Sequence, residues 1–382
     1  MKNVLLIHTD GNTYNNPSLV CLIDTLIAQG INITIRGPKT RAPQPAVKGV
    51  KYTSYGKFFR LLKKYIQNVI CSDKLCNILS YFEYYNLISK FDTIIAVDRV
   101  GLIDSFLFAK KNIPIFFFSF EIMFEVETSK KFKQLERRIS PLIKWWFIQD
   151  EIRGKKLRKE NFLSKSNCTF LPLASEGLPV KSKKRLRDRL GVPKNKHCAI
   201  LIGSLESWTM AAEIIKSVNS WPEDWILIVN ERYGNIKNFI DELSLNGVKL
   251  DKNRIYFNKN YNSKRVDKLE FTLSGIDVGI AFYRPDYSSP ITGLNLKYLG
   301  LASGKISTYL RYGLPVVCNK IGLLSIYIKK YKCGKVVKEP NQICNALVDL
   351  SCKKFKKNAI NFFSKKLDYK KFENKLIQSL NL

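Results

Sequence analysis

Ser303, Gly304 and Lys305 are three consecutive residues of the types that bind a phosphate at the start of a helix. Apolar side chains follow them at helical spacing, and Gly313 and Pro315 end that pattern. At such a start, unpaired backbone N–H groups and the helix dipole attract an anion, glycine lets the anion approach, and lysine adds a charge. The alternative is that Ser303 caps an ordinary helix and Lys305 is a surface lysine.

A second turn of this kind follows the strand-like run "HCAILIG", which ends at Gly203 and continues into Ser204. In parallel α/β sheets, ligands bind beyond the carboxyl ends of the strands. Two glycine-containing turns in the same half of the chain therefore favour a phosphate site over a simple helix cap.

The composition predicts a folded, strongly basic protein. The chain has 382 residues, of which 45% are hydrophobic, and this length suggests about two domains. The formal net charge of +32 should attract polyanions, phosphorylated substrates or anionic lipid, although a lysine-favouring AT-rich genome would give the same charge. Nine cysteines without a Cys-x-x-Cys pair, and only two histidines, argue against a disulfide framework or a structural zinc site.

Strand-like apolar runs alternate with helix-like stretches along both halves of the chain. Examples are "NVLLIHT", "INITIRG", "DTIIAVD" and "IPIFFFSF" in the first half, and "HCAILIG", "DWILIVN", "DVGIAFY" and "LPVVCN" in the second. This alternation predicts an α/β fold with parallel sheets and helices on both faces. We place an N-terminal Rossmann-like acceptor domain at 1–175, a C-terminal Rossmann-like donor domain at 176–352, and a C-terminal helix at 353–382 that is a candidate to cross back to the first domain.

The second half resembles the donor domain of GT-B glycosyltransferases, most of all bacterial enzymes of surface polysaccharide or lipopolysaccharide synthesis. The resemblance is carried by "GSL", "DWILIVN", "LSGIDVGIAFY", "SGKISTYLRYGLPVV" and "CGKVV", in that order. It implies two Rossmann-like domains that face a cleft, and a nucleotide-sugar donor whose diphosphate meets the start of the 303–311 helix. UDP is our first choice of nucleotide, as a substrate, and no cofactor is expected.

This chain departs from the GT-B pattern at two points. Many retaining members carry two glutamates eight positions apart, and those positions are Gly300 and Thr308 here. Many also place Arg and Lys after the first strand of the donor domain, where this chain reads "GSLESW". The candidates to replace those cations are Lys305, Lys297, Arg284 and Arg232. Retention or inversion of the anomeric configuration stays open.

We therefore predict a donor site that meets the leaving-group charge with cations and backbone dipoles. Its predicted residues are Gly203, Ser204, Arg232, Ser303, Gly304, Lys305 and Thr308. No Asp-x-Asp motif occurs in the chain, so we predict no metal ligand and a metal-independent reaction.

Three carboxylates follow strand-like runs in the first half and are candidates for acid–base catalysis. They are Asp10, Asp98 and Glu121. An inverting transferase needs one base to take the proton of the acceptor hydroxyl, and we choose Glu121 first and Asp10 second. The alternative for each is a helix cap or a solvated loop residue.

Three other functions stay open: a non-catalytic nucleotide or sugar-phosphate binding module, an NAD-dependent Rossmann enzyme, and a polyanion binder. The sequence lacks a Gly-x-Gly-x-x-Gly motif after the first strand, and its basic residues are spread along the chain, so neither NAD nor nucleic acid is an expected partner. Expected partners are a nucleotide-sugar and a glycan or lipid-linked acceptor.

We expect a cytoplasmic protein, because the chain opens on a short strand-like run and has no uncharged apolar stretch approaching ~20 residues. The segment "GKFFRLLKKYIQNVI", residues 56–70, has one apolar and one basic face. It predicts either a helix that lies on the inner face of an anionic membrane or one that packs in the protein core.

Overall fold

The computed structural model of the chain describes residues 2–8, 10–38, 45–54, 90–109, 112–258, 267–350 and 353–381. The chain divides into two compact units. Unit 1 comprises Met1–Leu171 with Phe372–Leu382, and unit 2 comprises Pro172–Lys371. The predicted amphipathic helix at 56–70 lies outside the described residues.

Unit 1 is built on a seven-stranded parallel sheet with the strand order β3-β2-β1-β4-β5-β6-β7. Its strands are β1 Asn3–Ile7, β2 Asn32–Gly37, β3 Val50–Ser54, β4 Thr93–Val97, β5 Ile115–Phe118, β6 Ile143–Ile148 and β7 Cys168–Phe170. Within the described residues its helices are α1 Pro17–Ala28, α2 Asp98–Asp104, α3 Phe106–Ala109, α4 Lys130–Ile139 and α5 Glu151–Asn161.

Unit 2 is built on a six-stranded parallel sheet with the order β10-β9-β8-β11-β12-β13. Its strands are β8 His197–Gly203, β9 Trp225–Glu231, β10 Ile255–Phe257, β11 Val278–Ala281, β12 Val316–Cys318 and β13 Gly334–Val336. Its helices, the last of which continues into unit 1, are α6 Leu186–Arg189, α7 Ala211–Ser217, α8 Ile236–Leu245, α9 Glu270–Leu273, α10 Leu294–Lys297, α11 Gly304–Arg311, α12 Gly322–Tyr331, α13 Ile343–Leu350, α14 Lys353–Phe362 and α15 Lys370–Leu380.

The central strands form because both of their faces are covered by apolar side chains. In unit 1, β4 is TIIAV and β5 is IFFF, and all of their residues are buried. In unit 2, Cys198, Ile200 and Ile202 of β8 join one hydrophobic cluster, whereas Ala199 and Leu201 join a second. Successive strand residues point to opposite faces, so the two clusters lie on opposite sides of the sheet. The predicted α/β class with two parallel-sheet domains is confirmed.

Helix α15 packs within unit 1 over most of its length. Glu373 accepts a hydrogen bond from the Thr25 hydroxyl at 2.9 Å. Further along the helix, the Ser379 hydroxyl lies 3.0 Å from that of Thr169. These contacts join the end of the chain to α1 and β7.

No disulfide joins any of the described cysteines, which are Cys21, Cys168, Cys198, Cys318, Cys333 and Cys344. In the described part of the chain, no helix is both long and apolar enough to cross a membrane.

Candidate functional site

Helix α11 begins at Gly304, as the sequence predicted. The buried Ser303 is its N-cap and accepts a hydrogen bond from the Ile306 N–H at 3.3 Å. The Tyr283 hydroxyl, from the segment that follows β11, lies 2.8 Å from the Ser303 Oγ and fixes that side chain. Gly313 has φ of 71° and ends the helix pattern in the left-handed region. Ser303 is thus a helix cap, which does not exclude the predicted anion site.

Lys305 extends along the carboxyl end of β8. A Cβ built on Gly203 would lie 3.3 Å from the Lys305 Cε and 3.6 Å from its Nζ. The ammonium group also lies 5.6 Å from the centre of the Tyr283 ring. Gly203 has φ of 101°, a conformation that few residues other than glycine adopt. The turn at Gly203 and the helix start at Ser303–Lys305, which the sequence predicted as phosphate-binding segments, are therefore in contact.

The ammonium group of Lys305 is buried although the residue as a whole is half-buried, and among the described residues it has no hydrogen-bond partner. Burial, and then the positive charge of Arg232, lower the pKa of Lys305 to about 7. A buried donor without a partner is costly, and a second cation nearby adds to that cost. An anion placed here would remove both penalties.

Arg232 is held in place by its own loop. The Arg232 Nη2 donates to the Tyr233 hydroxyl at 2.9 Å, and the guanidinium lies 5.1 Å from the centre of that ring. The buried Glu231 carboxylate accepts the N–H groups of Tyr233, Gly234 and Asn235, which fixes the loop after β9. The Arg232 Nε is buried without a hydrogen-bond partner in the described residues.

The structure distinguishes between the four cations that the sequence left as candidates for the diphosphate. Lys305 and Arg232 lie close enough together for the charge of Arg232 to lower the pKa of Lys305. Arg284 is exposed and pairs with Glu213 at 2.6 Å, and Lys297 is exposed on α10. We call Gly203, Arg232, Tyr283, Ser303 and Lys305 the cation site.

The remaining predicted donor residues are close in sequence to the cation site. Gly304 is the first residue of α11, and Thr308 is buried one turn further along. Ser204 is half-buried, and its carbonyl accepts the Thr209 hydroxyl at 3.2 Å. Sequence reasoning missed Tyr283; its position two residues beyond β11 was the available signal.

Asp98 occupies an unusual backbone conformation at the end of β4. It has φ of 55°, which is uncommon for a residue other than glycine. The buried Oδ1 accepts the Phe120 N–H at 2.6 Å and the Glu121 N–H at 2.9 Å, so Asp98 holds the loop after β5. Burial raises the pKa of Asp98 to about 6, against these hydrogen bonds.

Glu121 lies beside a second carboxylate and a buried arginine. Burial and then the charge of Asp98 raise the pKa of Glu121 to about 8, and the charge of Arg153 opposes this rise. Arg153 is fully buried; its Nε donates to Gln149 Oε1 at 2.7 Å and its Nη2 to the Phe120 carbonyl at 2.6 Å. We call Asp98, Glu121 and Arg153 the carboxylate site.

Asp10, the second candidate base, contacts His8. Its carboxylate is 2.9 Å from the His8 Nδ1, and its side chain is 62% exposed. Partial burial raises the pKa of Asp10, but the hydrogen bond to His8, the charge of His8 and the Asn12 N–H together hold it well below its usual range. His8 is buried, and its charge also lowers the pKa of Asp98. Asp10 stays ionised and is therefore the weaker base.

Asp98→Asn is expected to lower the pKa of Glu121, because it removes the neighbouring negative charge and keeps an oxygen for the Phe120 and Glu121 N–H groups. Asparagine also tolerates a positive φ. The pH dependence of the ¹³C carboxyl shift of Glu121 would measure the change. A pKa that stays near 8 would show that burial alone sets it.

Each site lies at the point where the strand order of its sheet reverses. In unit 1 this is between β1 and β4, and His8 and Asp98 directly follow those strands. In unit 2 it is between β8 and β11, and Gly203 ends β8 while Tyr283 lies just beyond β11. Ligands of open α/β sheets bind at such switch points. No group of three or more His, Cys, Asp or Glu suited to a metal occurs in the described residues.

Residues 250–380 match the family model for the Glucosyltransferase 3-like C-terminal domain. A search of curated proteins gives no match. Among solved structures, Anabaena Alr3699/HepE in complex with UDP and glucose has a TM-score of 0.69 at 13% identity, and all of both chains is covered. Sucrose-phosphate synthase from Thermosynechococcus elongatus has a TM-score of 0.70 at 13% identity, over 99% of this chain and 98% of that one.

WaaG, a glycosyltransferase involved in lipopolysaccharide biosynthesis, has a TM-score of 0.60 at 12% identity, over 97% of this chain and 98% of that one. At these identities the likeness concerns the fold. The chain therefore has the two-domain GT-B glycosyltransferase fold that its sequence predicted, and residues 250–380 resemble the C-terminal domain of glucosyltransferase 3-like proteins.

Proposed function

We propose that this chain is a glycosyltransferase that moves a sugar from a nucleoside-diphosphate donor, with UDP the first choice, to an acceptor hydroxyl. The observation that carries the proposal is the buried ammonium group of Lys305, which has no hydrogen-bond partner in the described part of the chain and lies beside Arg232 at the switch point of unit 2. The resemblance to HepE, whose structure holds UDP and glucose, supports UDP as the nucleotide.

The cation site has the chemistry that departure of a nucleoside diphosphate requires. As the bond from the sugar to the diphosphate breaks, negative charge grows on the leaving oxygen. Lys305, Arg232 and the N–H groups at the start of α11 would stabilise that charge without a metal. Because these groups are fixed before the reaction, they need no reorganisation when the bond breaks.

The carboxylate site would act on the acceptor. We assign to Glu121 the removal of the acceptor hydroxyl proton, since a pKa of about 8 makes it a stronger base than an ordinary carboxylate. Asp98 and Arg153 would hold the loop that carries it. A base role for Glu121 implies inversion at the anomeric carbon, and Asp10, with its lowered pKa, would orient His8.

The acceptor that we propose is a cell-envelope glycan or its lipid-linked precursor, reached from the cytoplasmic face of the membrane. The support is the resemblance to WaaG and the net charge of +32, which suits an anionic surface. The non-catalytic binding module is the second candidate, favoured by the absence of the glutamate pair of many retaining members at Gly300 and Thr308.

Incubation with a panel of nucleotide-sugars would test the proposal. We expect slow release of UDP from one UDP-sugar, at a rate that excess EDTA leaves unchanged, because cations of the protein replace a metal. A parallel reaction with Mn²⁺ or Mg²⁺ added back is the control. Strict dependence on either ion would overturn metal independence. Tight UDP binding without turnover of any donor would favour the binding module.

A further inference from the structure

Strands β8 and β11 separate before they reach the cation site. They pair only through Ala199 with Val278 and Ile200 with Gly279. Strand β8 nevertheless continues to Gly203 and stays paired with β9 over that whole length. The backbone of β8 beyond Ile200 therefore faces β11 without ladder hydrogen bonds, at the switch point of the sheet.

The hydroxyl of Tyr309 occupies this gap. It accepts the Ile202 N–H at 3.0 Å and lies 3.1 Å from the Ile200 carbonyl and 3.2 Å from the Ile280 carbonyl, which share its one proton. The ring fits because residue 279 is glycine; a Cβ there would lie 2.3 Å from it. Tyr309 is fully buried, and its hydroxyl replaces the missing ladder between the two strands.

The same side chain belongs to the helix that carries Lys305. Tyr309 follows Lys305 by four residues, so both lie on one face of α11. Gly203 directly follows Ile202, and Tyr283 lies three residues after Ile280. One hydroxyl thus fixes the ends of β8 and β11 relative to the start of α11, and these three elements supply Gly203, Tyr283 and Lys305.

We propose that Tyr309 is a positioning residue that sets the spacing of the cation site for a diphosphate. This inference rests on the proposed function. The phenol does not touch the ligand; it keeps the Gly203 turn and the Lys305 ammonium group at a separation that lets both face one diphosphate. A shift of β8 toward β11 would close this space while leaving the rest of unit 2 in place.

Tyr309→Phe tests the proposal, because it keeps the ring and removes the hydroxyl. Calorimetric titration with UDP and with UMP should show UDP affinity lowered about 10-fold and UMP affinity lowered much less. Binding stoichiometry reports the folded fraction, so partial misfolding does not change this ratio. An equal loss for both nucleotides, or no loss, would overturn the positioning role.

Tyr312→Phe is the matched control. The Tyr312 hydroxyl also accepts a backbone N–H, that of Leu269, at 3.0 Å, at the other end of the same helix. This variant should lose thermal stability and keep the ratio of UDP to UMP affinity. Failure of the wild-type chain to bind UDP would instead overturn the proposed function.

Hydrogen exchange on the wild-type chain provides a second test of the positioning role if Tyr309→Phe does not fold. The Ile202 amide, which donates to the phenol, should exchange more slowly with saturating UDP than with saturating UMP. Equal exchange with both nucleotides would contradict the inference.

Discussion

Replacement of Lys305 by methionine is expected to weaken UDP binding by about 10- to 100-fold and, at the same time, to stabilise the free protein. A hydrogen bond between charged groups contributes about 1.5–3 kcal/mol, which corresponds to that range of affinity. Methionine keeps the aliphatic packing against Gly203 and the Tyr283 ring but removes the buried charge. Titration calorimetry would measure the affinity.

The gain in stability follows because the Lys305 ammonium group is buried and no described residue accepts a hydrogen bond from it. A buried donor without a hydrogen bond costs about 1–3 kcal/mol, so the free energy of unfolding should rise by roughly that amount in Lys305→Met. Lys330→Met, on the exposed face of α12, is the matched control and should change neither quantity. Lower stability together with unchanged UDP affinity would make Lys305 an ordinary structural residue.

The pH dependence of stability gives an independent check on Lys305. Its pKa falls from 10.5 in the unfolded chain to about 7 in the fold, so the unfolded chain binds more protons between these values. The contribution of Lys305 to the free energy of unfolding therefore rises as the pH increases from about 7 to 10.5. UDP affinity should fall over the same range, because a neutral amine no longer attracts the diphosphate.

The strands that lead into each site could be predicted from the sequence, because buried parallel strands are continuous apolar runs. The helix start at Gly304 could be predicted as well, since a serine cap and a Gly–x–Pro end are local signals. The identity of the second cation beside Lys305 could not be predicted. The sequence offers Arg232, Arg284 and Lys297 as candidates and gives no reason to prefer one of them. Only the strand order and the loop that Glu231 holds bring Arg232 to the site.

Two further features depended on contacts between distant residues. Asp98 has a positive φ, and its carboxylate accepts hydrogen bonds from the N–H groups of Phe120 and Glu121, 22 and 23 residues away. Tyr309 belongs to an amphipathic pattern that predicts only a core residue. Its hydroxyl has a role because β8 and β11 part at Ile200, and no local pattern reveals where two strands separate.

Glu121→Gln is expected to lower kcat by about 10²- to 10⁴-fold, the usual contribution of a general base. Glutamine keeps the size of the side chain and a carbonyl oxygen but cannot accept the proton. Transfer rates at saturating donor and acceptor would measure the effect. Glu151→Gln, on the exposed first turn of α5, is the matched control and should keep wild-type kcat.

The pH profile distinguishes a base from a residue that only supports the loop. A base must be ionised, so kcat of the wild-type chain should rise with pH and level off above about 8. This rise should disappear in Glu121→Gln and move to lower pH in Asp98→Asn. A profile without a rise near pH 8, or a product that retains the anomeric configuration of the donor, would contradict the assignment.

Stability should respond to Glu121→Gln in the direction opposite to activity. The pKa of Glu121 rises from 4.5 in the unfolded chain to about 8 in the fold, so the folded chain binds more protons between these values. The free energy of unfolding of the wild-type protein therefore carries a contribution that is complete below pH 4.5 and is lost as the pH rises through 8.

Glutamine resembles the protonated acid, so the variant should match the wild type at low pH and be the more stable of the two above pH 8. Thermal unfolding at pH 5 and pH 9 would show this divergence between the two proteins. Its absence would mean that Glu121 is already ionised at neutral pH, beside Arg153, and is an ion-pair residue instead of a base.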